Sequence, residues 1–435
     1  MYSNVLQMIN IIFFILLGVS VVLMCVKIFA HIYSLMPAVK LKEAKENHKY
    51  AILVPARNES HVINNLLSSL DRQKYPKDKF DIYVIVERED DPTIQICKQY
   101  SNCMHFIRPN LNVKTKGAAL DQMLKYLLES GKMEEKGYEA VFVFDADNVA
   151  ADNFLYEMNK TFDAGYELAM CYRNSSNWNG GWVASCSALT FSMINTFNNK
   201  FRSRFTERVL VCGTGFFLST RIIKELGGYP FHCLTEDVEL SNWAALNNIK
   251  GAYNENTEIF DEQPSSWNVQ WNQRVRWIKG HMQVTKKYQK ALLKKSITEH
   301  DNKFGKLEFA YNILPVAFVV VSLILYCLSM LTMGFIGLFS HQATSIWVMP
   351  FIYFGASIFG LYFFLMLYTA AMLLVERKHS NITVDNATRT VFVNPFFMSL
   401  WLPIAIFAFF KKEISWKVIE HKGSIDQSEE VEETN

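Results

Sequence analysis

The chain has 435 residues, half of them apolar, 20% charged and 14% aromatic, too long for one ordinary domain. That composition excludes a disordered or collagen-like chain. Its 44 Lys and Arg against 42 Asp and Glu leave a net charge of +2, so there is no chain-wide basic field and no nucleic-acid partner is expected.

Met1 to Val26 contains no Asp, Glu, Lys or Arg. A bilayer crossing takes ~20 apolar residues, and one fits between about Val5 and Tyr33. No basic segment precedes the run, which exceeds the ~7–15 residues of a signal-peptide core. A retained anchor over residues 1–40 is therefore expected. Lys40, Lys42, Lys45 and Lys49 follow; basic flanks mark the cytoplasmic side, which places the next segment in the cytoplasm.

Residues 48–265 form the polar part of the chain. Tyr50–Pro55, Asp81–Val86 and Ala140–Phe144 are short continuous apolar runs separated by polar helical segments. Such runs read as βαβ units whose strands are buried on both faces, an α/β module with a mostly parallel sheet. Functional residues in these sheets gather beyond the strand carboxyl ends. Here the first run is closed by Arg57-Asn58-Glu59, the second by Glu87 through Asp91, and the third by Asp145-Ala146-Asp147. Exposed strand ends are often acidic, but three such clusters together draw the outline of a cation or phosphate site.

Asp145 and Asp147 share one side of an extended chain. Paired carboxylates suit Mg²⁺ or Mn²⁺, which takes one or two protein carboxylates and completes its shell with phosphate oxygens and water. Lys116-Gly117 opens a helix, where a cation is electrostatically misplaced unless an anion lies beside it. Gly213-Thr214-Gly215 permits a tight turn or a close backbone approach to a ligand. Thr235-Glu236-Asp237 reads two ways. Thr235 would cap a helix whose positive end favours the acids, or Asp237 would be a general base.

Gln273-Arg274-Val275-Arg276-Trp277 is the most distinctive segment. Trp267, Trp271, Val275, Ile278 and Met282 form one apolar helical stripe among basic residues, which reads as a helix in the membrane interface. Gln273, Arg276 and Trp277 share another face, where an amide, a guanidinium and an indole suit a diphosphate and a sugar ring. Residues 266–308 form this amphipathic junction.

Phe309 to Val375 then runs 67 residues without Asp, Glu, Lys or Arg, enough for two crossings hinged near Ser340–Ser345. A third apolar run, Val391–Phe410, carries Pro395 and Pro403. A full third crossing would put Lys411, Lys412, Lys417 and Lys422 outside, against the positive-inside tendency. This run is therefore expected to enter the membrane without crossing it, broken at one of the prolines. Residues 309–411 make a carboxy-terminal bundle and 412–435 a polar, acidic tail. The eight cysteines show no CxxC pair and no zinc-like spacing to His, so reduced thiols are expected and no disulfide framework is implied.

The ordered set Asp145-Ala-Asp147, Gly213-Thr-Gly215, Thr235-Glu-Asp237 and Gln273-Arg-Val-Arg-Trp277, flanked by apolar helices, resembles the membrane-embedded family 2 glycosyltransferases. The resemblance covers about residues 50–285. It implies a GT-A fold, a UDP-sugar donor (UDP-GlcNAc or UDP-Glc), Mg²⁺ or Mn²⁺, and inverting transfer to a growing β-linked polysaccharide. Transfer of one sugar to a lipid-linked acceptor is the alternative. Pro55, Glu59, Glu87, Lys116, Gly117 and Asp145 would contact the donor, and Asp147 would hold the metal. Asp237, with Glu236 beside it, becomes the catalytic pair. Gly213, Thr214, Gly215, Gln273, Arg276 and Trp277 would bind diphosphate and acceptor. Glu87 stands where many members have Asp, which directs attention to Glu89 or Asp90 as substitutes. A plasma-membrane, multi-pass enzyme with a cytoplasmic catalytic domain follows, and so few helices would need a small subunit or a second copy to complete a channel.

Overall fold

The computed structural model describes residues 2–311, 314–340 and 342–411; the acidic tail lies outside them. The strands, in chain order, are β1 (Tyr50–Pro55), β2 (Phe80–Val86), β3 (Cys103–Ile107), β4 (Ala140–Val143), β5 (Val149–Ala150), β6 (Leu168–Ser175), β7 (Phe216–Ser219) and β8 (Gly251–Asp261). They build one sheet in the order β3-β2-β1-β4-β7-β6-β8-β5. β1 runs parallel to β2 and β4, with Tyr50 level with both Phe80 and Ala140. The three apolar runs legible in the sequence therefore sit side by side with their carboxyl ends at one edge. β7 is antiparallel to both β4 and β6, and β6 is parallel to β8.

Alternation along the buried strands feeds two cores. Leu53, Ile85 and Val143 pack on one face of the sheet with Met123 and Leu127. Ile52, Val54, Val84 and Phe142 pack on the other with Leu66 and Leu70. At the β3 edge one cysteine expectation is corrected: Cys97 and Cys103 form a disulfide with their Cα atoms 5.6 Å apart. The turn between a short helix and β3 brings them together, a fold-back that the spacing of the two cysteines does not announce.

The helices that matter for the site are α1 (Tyr2–Ser34), α2 (Lys116–Glu129), α3 (Trp182–Met193), α4 (Glu236–Leu246), α5 (Trp267–Thr298), α6 (Lys303–Tyr311), α7 (Leu314–Phe339), α8 (Thr344–Val375), α9 (Val384–Ser399) and α10 (Trp401–Phe410). Among the described residues, four segments are long and apolar enough to cross a membrane: Tyr2–Cys25, Phe318–Phe339, Trp347–Lys378 and Val384–Phe410. The hinge between α7 and α8 falls at the expected place. The last segment continues through Pro395 and is interrupted at Leu400. Pro403 has no N–H to give the Ser399 carbonyl and its ring crowds that group. α9 packs on α3 and α8, and α10 packs on α5. Both helices are thereby seated against the rest of the molecule.

A buried ion cluster fastens α1 to this body. Glu308 of α6 receives Arg202 Nε at 2.6 Å and its second nitrogen at 3.0 Å, while Lys27 of α1 lies 3.5 Å away. Removing one member of such a cluster strands a charge at a cost of about 3–5 kcal/mol.

Candidate functional site

A cleft of about 1020 Å³ opens beyond the carboxyl ends of β1, β2 and β4. Pro55, Glu59 and Glu87 line it from the strand ends, with Lys116, Asp145, Asp147 and Gly213 beside them. Glu236 and Asp237 enter from the first turn of α4, and Gln273, Arg276 and Trp277 from α5. Residues more than 200 positions apart in sequence thus share one cavity. Gly117, Thr214 and Gly215 stand behind its wall rather than in it.

Hydrogen bonds fix the loop after β4. The Asp145 N–H donates to Thr214 Oγ1 at 3.0 Å and to Asn148 Oδ1 at 3.2 Å, and the buried Thr214 hydroxyl donates to Asn148. Thr214 therefore acts on the site through the loop it holds. Lys116 Nζ donates to Asp145 Oδ1 at 2.5 Å and to the Gly213 carbonyl at 2.7 Å. The anion that the cation at the start of α2 called for is thus the Asp145 carboxylate. Burial alone would lift the Asp145 pKa, but Lys116, with Arg173 and Arg276 behind it, holds it below the ordinary value. Asp147 moves the other way: burial first, then the charges of Asp261, Asp145 and Glu59, push its carboxyl well above the usual range.

Glu87 lies between two guanidiniums, 3.2 Å from Arg57 and 3.1 Å from Arg108. Glu89 and Asp90 are exposed and stand outside the cleft, so the extra methylene of Glu87 is met by arginines rather than bypassed by a neighbour.

Thr235 occupies the cap position of α4 but makes no side-chain cap bond, and its hydroxyl is buried without a hydrogen-bond partner among the described residues. Capping therefore does not account for this triplet. Burial, then the adjacent Asp237, pushes Glu236 up to about 7. Burial also raises Asp237, against the Val238 N–H, Lys116 and His281, which partly offset it. A Cβ built on Gly213 would lie 3.6 Å from Asp237 Oδ2 and 3.9 Å from Asp145 Oδ2, so this glycine, at φ +84°, separates the two carboxylates. At Gly117 a Cβ would meet the Phe231 carbonyl at 2.4 Å and Glu236 Cβ at 3.4 Å. Its absence lets α2 back directly onto the acidic turn.

α5 presents Gln273, Arg276 and Trp277 to the cleft, and His281 one turn further. Its apolar stripe does not lie bare: Trp267, Trp271, Val275 and Ile278 pack against Ile404 and Ala408 of α10. The run that read as a membrane-facing surface is covered by α10. Arg274, fully buried between the two helices, stacks on Phe397 and Trp401 with its guanidinium carbon 3.8 and 4.4 Å from the ring centres. Arg108, Asn148, Arg173, Asp261, His281 and Trp401 were not singled out by the sequence. Asn148 sits beside the Asp145-Ala-Asp147 motif, and the others are brought in by tertiary pairing without local spacing to mark them.

Residues 48–280 match the family described as "Glycosyltransferase like family 2". The chain belongs to glycosyltransferase family 2. Among curated family 2 relatives it is 27% identical to the probable glycosyltransferase YdaM of Bacillus subtilis over 56% of this chain and 58% of that one. It is 24% identical to a beta-monoglucosyldiacylglycerol synthase of Trichormus variabilis over 56% and 51%. It is 22% identical to a cellulose synthase catalytic subunit of Pseudomonas fluorescens over 54% and 31%. The chain thus spans little more than half the length of the first two. Among solved structures, the mannosyltransferase PcManGT of Pyrobaculum calidifontis superposes with a TM-score of 0.52 at 14% identity, covering 92% of this chain and all of that one. That likeness establishes a shared GT-A-like fold.

Proposed function

We propose that this protein transfers a sugar from a UDP-sugar, UDP-GlcNAc or UDP-Glc, to an acceptor hydroxyl at a membrane, with inversion at the anomeric carbon. One observation carries the reading: the acids after β4, the acid pair of α4 and the amide–guanidinium–indole face of α5 line one cleft. Pro55, Glu59 and Glu87 would receive the nucleotide end, Lys116 and Asp145 the sugar and its diphosphate. Asp237 would take the proton of the acceptor hydroxyl as its oxygen attacks the anomeric carbon. The bond to the diphosphate breaks on the opposite side and UDP leaves. A carboxylate lifted by burial keeps enough basicity for that task near neutral pH. Arg276 and Gln273 would meet the leaving diphosphate and Trp277 the acceptor ring.

Among the described residues no three His, Cys, Asp or Glu side chains converge as a complete metal site. The residues nevertheless fit Mg²⁺ or Mn²⁺ bound together with a diphosphate, because Asp147 lies in the negative field of Asp261, Asp145 and Glu59 and such ions take only one or two protein ligands there. Asp147 would hold the ion, which when bound supplies positive charge to the leaving group. Residues 48–265 would then be the catalytic domain, cytoplasmic by its basic flank.

A growing β-linked polysaccharide is the acceptor favoured by the α5 face beside the membrane helices, with a small subunit or a second copy completing the passage. A lipid-linked acceptor is the alternative, in line with the likeness to a beta-monoglucosyldiacylglycerol synthase. Incubating membranes that contain the protein with radiolabelled UDP-GlcNAc or UDP-Glc separates these. High-molecular-weight label supports the polymer, whereas label extracted into organic solvent supports the lipid acceptor and overturns it.

A further inference from the structure

Arg173, near the end of β6, belongs to none of the motifs that mark the family resemblance, yet it reaches both halves of the cleft. Its Nε donates to Asp261 Oδ2 at 2.8 Å, and a second guanidinium nitrogen bonds the same oxygen. Gln263 Nε2 donates to that oxygen at 2.9 Å, so all three donors converge on one side of the carboxylate. Another Arg173 nitrogen donates to the Cys212 carbonyl, next to Gly213, at 2.5 Å. The guanidinium carbon lies 4.0 Å from the centre of the Phe191 ring, and the Trp277 ring stands edge-on to Phe191 at 5.7 Å.

The two ends of this chain of contacts have different chemistry. Asp261 closes β8, whose antiparallel ladder with β5 sets Phe260 against Val149. That register carries Asp261 to the level of Asn148, next to Asp147, and Asp261 is the largest charged influence on Asp147. The other end is the indole assigned above to the acceptor. A planar, permanently charged fork with an apolar face is the one side chain suited to both contacts.

We propose that Arg173 is a positioning residue that couples the donor side of the cleft to its acceptor side. Through Asp261 it sets the charge facing Asp147, and through Phe191 it fixes the tilt of Trp277. The inference rests on the functional reading above and assigns Arg173 no contact with the reacting atoms. Each arm is addressed by its own variant. Asp261→Asn removes the donor arm, and Phe191→Leu removes the stacking platform. Arg173→Lys keeps the charge but loses the fork and the flat face.

The readouts on the purified full chain are Mn²⁺ affinity in the presence of UDP, followed by electron paramagnetic resonance, and the ratio of donor hydrolysis to transfer. Loss of an outer-shell partner weakens metal binding by about 10–100-fold. Asp261→Asn should therefore weaken Mn²⁺ by at least tenfold with the ratio little changed. Phe191→Leu should raise the ratio severalfold with Mn²⁺ affinity intact, and Arg173→Lys should do both. Arg173→Lys matching the wild type in both readouts, or moving only one, overturns the coupling; so does an effect of Asp261→Asn on the ratio alone. Failure of the wild-type chain to bind Mn²⁺ with UDP or to release nucleotide from any UDP-sugar would instead overturn the functional reading. If Arg173→Lys does not fold, the two single variants still decide: unchanged Mn²⁺ affinity in Asp261→Asn, or an unchanged ratio in Phe191→Leu, removes one of the two arms and overturns the proposal.

Discussion

Gly280→Ala places a methyl carbon 2.5 Å from Thr235 Oγ1, 2.6 Å from its Cγ2 and 2.8 Å from its backbone nitrogen. The side-chain atoms have some freedom to rotate, but the nitrogen opens the α4 turn that carries Glu236 and Asp237 and has none. Reaching ordinary carbon contact requires α5 to retreat by about 1 Å. Overpacking of this kind costs about 1–3 kcal/mol. The retreat also draws Arg276 and Trp277 away from the α4 acids, and a misplacement of ~1 Å in a reacting array lowers rate on the order of 10²-fold. UDP release measured against donor concentration, with thermal unfolding of the same detergent-solubilised sample, reads both effects. Thr235→Ser removes Cγ2, so the double variant should recover part of the stability and part of the rate. A Gly280→Ala protein with wild-type kcat/KM would refute the close approach of α5 to the acidic turn as the element that sets the cleft.

Other consequences are simpler. Asp147→Ala should abolish transfer, and EDTA should do so reversibly on readdition of Mg²⁺ or Mn²⁺, followed by labelled-sugar incorporation; full activity in EDTA would remove the metal from the account. Trp277→Ala should impair transfer more than donor hydrolysis, and equal loss of both would contradict an acceptor role. Because burial raises Asp237 above the ordinary aspartate value, turnover should climb with pH as the base becomes ionised. Stability runs the opposite way. Glu236 is raised from an ordinary value of 4.5, so the folded protein holds a proton that the unfolded chain releases. That contribution is fully present below pH 4.5 and is lost as pH rises through about 7. Thermal melts of the ligand-free protein at pH 5 and pH 8 check the sign, with Glu236→Gln as the variant that flattens the difference.

The strands β1, β2 and β4 were legible because burial on both faces demands unbroken apolar runs, and polar residues that end such runs fall where parallel sheets keep their sites. Asp237 was marked by the Thr235-Glu236-Asp237 pattern at a helix start and by the family resemblance, whereas Asp145 and Asp147 follow from the strand-end logic. Arg173, Asp261 and Arg108 do not, since their meaning lies in pairings across β6, β8 and β2 that leave no local period. Gly213 was legible as a permissive position but not as the residue that separates two carboxylates, and nothing in the sequence marked Gly117 and Gly280 as places that admit neighbouring backbone. The α5 stripe was correctly apolar, yet periodicity cannot tell lipid from another helix, and here α10 covers it. The Cys97–Cys103 link was likewise invisible, because six residues of separation become proximity only once the turn before β3 exists.

The most direct test is nucleotide release by the purified full chain with Mn²⁺ across a panel of UDP- and GDP-sugars, comparing wild type with Asp237→Asn. The account predicts release from at least one UDP-sugar in the wild type, a fall of about 10²–10⁴-fold in the variant, and nucleotide binding kept in both. No release from any UDP-sugar, or undiminished transfer by Asp237→Asn, would contradict it.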